Sequence, residues 1–240
     1  MNSKKIAIIR DGYSDFMVLK SFLSSVILNE QNIKLSDKNF LDSELNIDDA
    51  INKYLDSNKE NKEARIKNLK NKILGALYAA STKESLTNKD IIILNSDAEQ
   101  RLMQLKNFYK DGNRELYSVI HLAIDEFYEQ MVNQGYGFKD LPIIIPLILF
   151  PSIEILVAAC YLSGVDREKM RTLRAKPDLK IKVWGIENIP VAIETGKIDE
   201  VLEFCFDKDN TSSLNEIYKY IPEARNLIHI LSYPSFSTSH

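Results

Sequence analysis

Three short aliphatic runs, separated by stretches of helical periodicity, restrict this chain more than any other feature. Residues 4–9 (KKIAII), 90–95 (DIIILN) and 143–150 (IIIPLILF) do not alternate apolar with polar residues, so each reads as a strand buried on both faces. Between them the apolar residues keep helical spacing. Leu19, Phe22, Leu23 and Val26 mark a helix from Ser14 to about Leu28. Ile66, Leu69, Ile73, Leu77 and Ala80 mark one over 64–80, and Val119, Ile120, Ala123, Ile124, Phe127 and Met131 mark one over 115–134. Strands that alternate with helices give an α/β fold, a mostly parallel sheet flanked by helices. The polar stretch 29–62 offers few strand signals, and a helical insertion is expected over about 29–88. A first domain is expected over 1–162. A mainly helical extension follows over 163–240, with helices at 166–174, 197–206, 212–220 and 222–231 and a short strand at 180–184.

The run 141–162 is long enough to span a bilayer. Pro142, Pro146, Pro151 and Glu154 interrupt it, and each proline removes a backbone donor. A strand over 143–150 followed by a helix capped by Ser152 is the expectation, with no membrane partner. The N-terminal MNSKKIAIIRDG has too short an apolar stretch for a signal peptide, so a cytoplasmic location is expected. Two cysteines without a CxxC pair, and three scattered histidines, argue against a disulfide framework or a zinc site.

The net charge of −3 does not by itself call for nucleic acid. Its distribution is uneven. Residues 166–182 carry seven Lys and Arg against three acids, which leaves the rest of the chain at −7. Such a segment is either a polyanion-binding edge or a solvated helix.

In parallel α/β sheets, ligands sit at the carboxyl ends of the strands. Acids follow the strands at three places in this chain: Asp11 with Asp15, then Asp97 with Glu99, then Glu154. Converging carboxylates repel one another unless a cation intervenes, and oxygen ligands suit Mg²⁺ or Mn²⁺. Each acid also has an ordinary structural role open to it. Asp11 beside Gly12 suits a turn, and Asp15, Glu99 and Glu154 suit first helical turns. Asp97 serves no obvious local cap, and Glu154 stands among apolar neighbours.

The segments IAIIRDGYSDFMVLKSFL, IIILNSDAE and LILFPSIEILVAAC resemble, in order, three segments of the Toprim proteins related to the overcoming-lysogenization-defect nucleases. The resemblance covers roughly residues 4–28 and 88–162. It implies a Mg²⁺- or Mn²⁺-dependent centre that hydrolyses nucleic-acid phosphodiesters. Asp11 stands where the family usually has a glutamate assigned as general acid or base. Asp97 and Glu99 stand on the metal-binding acid-x-acid pair, Glu154 on the additional acid of the nuclease branch, and Asp15 on the acid after the glycine loop. On this reading Asp11 and Asp97 are catalytic, and Asp11, Asp15, Asp97, Glu99 and Glu154 hold the metal. Arg10, Arg101, Arg167, Arg171, Arg174 and Lys176 face nucleic acid. The expected partners are DNA or RNA, a phage-defence ATPase in trans (the chain has no Walker motif) and further copies of the chain in a homo-oligomer.

Asp11 is one methylene shorter than the usual family residue, and Glu99 one longer. The alternative is therefore a catalytically inactive Toprim-like binding or regulatory module. A phosphoryl-accepting receiver domain, with Asp11 or Asp97 as acceptor, is a third reading. It lacks paired acids at the first strand end and a lysine at a later one.

Overall fold

The computed structural model describes residues 4–10, 12–44, 62–83, 85–97, 113–149, 152–170, 176–185, 189–206 and 211–232. Four strands form one sheet: β1 (Ile6–Arg10), β2 (Phe40–Glu44), β3 (Ile91–Asp97) and β4 (Ile143–Leu149). All run parallel, in the order β2-β1-β3-β4, and helices flank them. β1, β3 and β4 are the three aliphatic runs, and β1 and β3 are buried along their whole length because both are interior strands. Ile9 pairs in register with Leu94, so β3 runs two residues beyond the carboxyl end of β1. Strand order reverses between these two neighbours, the position at which parallel sheets open a ligand crevice.

β2 lies within the polar stretch. Its sequence, FLDSE, is polar because it is an edge strand with only Phe40 fully buried. Arg10 anchors it through a two-pronged contact, with Nε and Nη2 each donating to an Asp42 carboxylate oxygen at 2.8 Å.

The chain divides into two compact units. The first holds residues 1–12, 38–96 and 101–146. In it, helix α2 (Lys62–Lys83) packs along α3 (Asn113–Asn133). Tyr78 meets Phe127 edge-on at 5.2 Å and donates to Gln130 Oε1 at 2.7 Å, and Lys70 pairs with Glu126. The second unit holds residues 13–37, 97–100 and 147–240. Its described helices are α1 (Tyr13–Gln31), α4 (Glu154–Tyr161), α5 (Gly164–Lys169), α6 (Lys176–Trp184), α7 (Ile189–Glu194), α8 (Lys197–Phe206), α9 (Thr211–Tyr220) and α10 (Pro222–Ser232).

Helix α4 is the centre of the second unit. Every residue from Glu154 to Cys160 is buried, and α1, α6, α8 and α9 all pack on it. A helix that is apolar all round belongs in a core or a membrane. Here the surrounding helices supply the core, and among the described residues no helix is long and apolar enough to cross a membrane. Phe22 of α1 and Phe206 of α8 meet at 6.0 Å.

Two local expectations change. The short strand expected over 180–184 is helix instead. These residues lie in helix α6, whose buried side is Leu179, Val183 and Trp184 while Ile181 and Lys182 are exposed. Ser152 was expected to cap α4. Ile153 flanks the helix instead, in helical conformation, and no side chain within that turn caps it.

Candidate metal centre

The site is built at the start of α4. Asp97 ends β3, and its Oδ1 accepts the backbone N–H of Ile153 at 2.9 Å. A helix start leaves amide donors unsatisfied and carries a partial positive charge, so a carboxylate is favoured there. Asp97 therefore caps α4 from a distant strand. The partner lies 56 residues away, and no local pattern could have revealed it.

Because Asp97 takes the Ile153 amide, the Ser152 hydroxyl serves another acceptor. It donates to Glu154 Oε2 at 2.5 Å, a charge-assisted contact. The other Glu154 oxygen faces Lys180 of α6, with Nζ 3.9 Å from Oε1. Glu154 and Asp97 are each only 1% exposed. Isolated buried carboxylates are costly, and here hydroxyl, amide and ammonium groups offset the cost. The sequence reading missed Lys180. Its place on α6 one turn before Trp184 carries no motif.

Asp15, in the first turn of α1, is also buried, and the Ser14 hydroxyl approaches its Oδ1 at 3.4 Å. Asp11 and Glu99 lie outside the described residues, as do Arg101, Arg171, Arg174 and the side chain of Lys176. Among the described residues, no three His, Cys, Asp or Glu side chains gather closely enough to hold a metal.

Two expected nucleic-acid contacts carry structural bonds. Arg10 is buried against β2. Arg167 donates through Nε to the Leu162 carbonyl at 2.6 Å and pairs through Nη1 with Glu216 of α9 at 2.8 Å, which fastens the end of α4.

Asn95 is the residue at which the sequence pattern ends the strand. The strand continues to Asp97, so Asn95 sits inside it, fully buried. Neither its Oδ1 nor its Nδ2 has a hydrogen-bond partner among the described residues. The available signal was a single amide inside IIILNSD.

Cysteine chemistry has little support. Cys160 is buried, and contact with Cys205 together with burial pushes its thiol well above the usual range.

No protein-family model, curated protein or solved structure matches this chain. The functional reading therefore rests on the site. The two acids at the start of α4, Asp97 and Glu154, both offer carboxylate oxygen. Carboxylate oxygens suit a hard divalent cation of the Mg²⁺ or Mn²⁺ kind better than zinc.

Proposed function

We propose that this chain is a Toprim-type nuclease that uses Mg²⁺ or Mn²⁺ to cleave DNA or RNA phosphodiesters, in the cytoplasm, in phage defence beside a partner ATPase. One observation carries the reading: the nearly inaccessible Asp97, from the end of a distant strand, bonds the amide at the start of the helix whose first residue is the equally inaccessible Glu154. The order of the acids along a parallel sheet supports it too.

Asp97 would hold the cation with its orientation fixed by the Ile153 amide. Glu154 would do so with its orientation fixed by the Ser152 hydroxyl. Asp11, Asp15 and Glu99 are proposed as further ligands on the strength of the sequence, and Asp11 as the proton-transfer group. A bound divalent cation supplies an acidified water and neutralises charge on the phosphate oxygens. Lys180 and the basic segment 166–182 would balance the charge of the nucleic-acid backbone.

A second reading has its own observation. The Lys180 ammonium already faces Glu154, as it would in a catalytically inactive binding or regulatory module whose acids are balanced by protein cations. Cleavage of labelled DNA and RNA separates the two. The nuclease reading expects Mg²⁺- or Mn²⁺-dependent cleavage that Glu154→Gln abolishes with the fold intact. Binding without cleavage under every metal condition supports the module instead.

A further inference from the structure

We propose that the groove between α1 and α8, both in the second compact unit, binds an organic ammonium ion. The charged head would lie between Asp199 and Glu203, and the hydrocarbon body on Phe16, Met17, Leu202 and Phe206. None of the acids of the metal reading takes part.

The groove has a volume of about 710 Å³, within the range of small-molecule sites. Helical spacing builds both walls. On α1, Tyr13, Phe16, Met17 and Lys20 recur at three- and four-residue intervals and so share one face. On α8, Asp199, Leu202, Glu203 and Phe206 do the same. Such walls favour any hydrocarbon, and the charges decide which kind. Lys20 is matched by Asp37 at 2.8 Å, and Lys197 by Glu200 at 3.2 Å. Among the described residues, neither Asp199 nor Glu203 has an ion pair. Asp199 suits the first turn of α8, but Glu203 stands in its last turn, where the helix dipole disfavours a carboxylate. One turn apart on the same face, their Cβ atoms are separated by about 6 Å. Two unmatched carboxylates attract a cation and repel phosphate, so the groove does not suit nucleic acid. An ammonium head hydrogen-bonds carboxylates and is drawn to aromatic faces, here Tyr13 and Phe16, whose rings lie 6.3 Å apart. A hydrated metal ion would leave the apolar walls unused, whereas an ammonium on a hydrocarbon body uses walls and charges together.

The test is calorimetric titration of the full chain with probes that share one body and differ in the head: phenylbutylamine, phenylbutanol and phenylbutyrate. The amine should bind about tenfold more tightly than the alcohol, and the carboxylate more weakly than either. Asp199 and Glu203 are both exposed, so the double variant Asp199→Asn with Glu203→Gln should keep the fold. It should lower the amine to the affinity of the alcohol and leave the alcohol unchanged. Phe16→Ser should weaken amine and alcohol alike, and Met17→Ser carries the same test if the first variant fails to fold. Equal affinity for amine and alcohol in the wild type would overturn the assignment. So would wild-type affinity for the amine in the double variant, or no binding of the amine at all.

Discussion

Asp97 Oδ1 accepts the backbone N–H of Ile153 at 2.9 Å, joining the last residue of β3 to the start of α4. The contact makes Asp97 a helix cap, and one substitution separates that role from the metal role proposed for it. Asp97→Asn keeps an oxygen for the amide and loses the charge that favours the helix start. Stability in EDTA should fall by about 1 kcal/mol. If Asp97 also binds metal, the rise in melting temperature produced by Mg²⁺ or Mn²⁺ should vanish. A pure cap would leave that rise unchanged.

Lys180 Nζ stands 3.9 Å from Glu154 Oε1, and the carboxylate is almost inaccessible. Removing one partner of a buried pair leaves the other uncompensated. Lys180→Met should therefore lower the melting temperature in EDTA. A cation bound at Glu154 would restore the missing positive charge, so millimolar Mg²⁺ should raise the melting temperature of Lys180→Met more than that of wild type. Equal rises would place the cation away from Glu154.

Arg167 and its basic neighbours should behave differently. Arg167→Ala loses charge-assisted bonds to the Leu162 carbonyl and to Glu216, and urea denaturation should register a loss of about 1–3 kcal/mol. Joint neutralisation of Arg171, Arg174 and Lys176 should instead weaken nucleic-acid binding and flatten its salt dependence with little change in stability. Filter binding across a salt series checks the second outcome.

Lys4 gives the fold a pH dependence. Burial lowers its pKa from 10.5 to about 8, partly opposed by the charge of Asp90. Between pH 8 and 10.5 the unfolded chain holds a proton at Lys4 that the folded chain has released. The unfolded state then binds more protons, so the Lys4 contribution to stability rises with pH across this window and is least favourable below pH 8. Lys4→Met should be more stable than wild type at pH 7 and should lack this rise. Urea midpoints from pH 7 to 10 measure both.

Where burial alone decided structure, the residues announced it. The aliphatic runs of β1, β3 and β4 can be stable only inside a covered sheet, and the apolar spacing at 197–206 and 222–231 matches α8 and α10. β2 escaped notice because an edge strand needs little apolar content, and Arg10 holds it through Asp42. α6 was mistaken for a strand because Leu179, Ile181 and Val183 fit period two as well as the helical spacing of Leu179 and Val183. The acids Asp97 and Glu154 could be picked out as candidates, since each breaks an apolar context. Their partners could not be found that way: the Ile153 amide and the Lys180 ammonium reach them only through tertiary contact, and Asn95 is distinguished by its burial rather than by any pattern.

The most direct test of the metal reading is an anomalous difference map from crystals soaked in Mn²⁺. The account predicts a peak about 2.0–2.2 Å from carboxylate oxygens of both Asp97 and Glu154, with the Lys180 ammonium displaced from Glu154. A map without a peak there, in which Lys180 remains paired with Glu154, would contradict it.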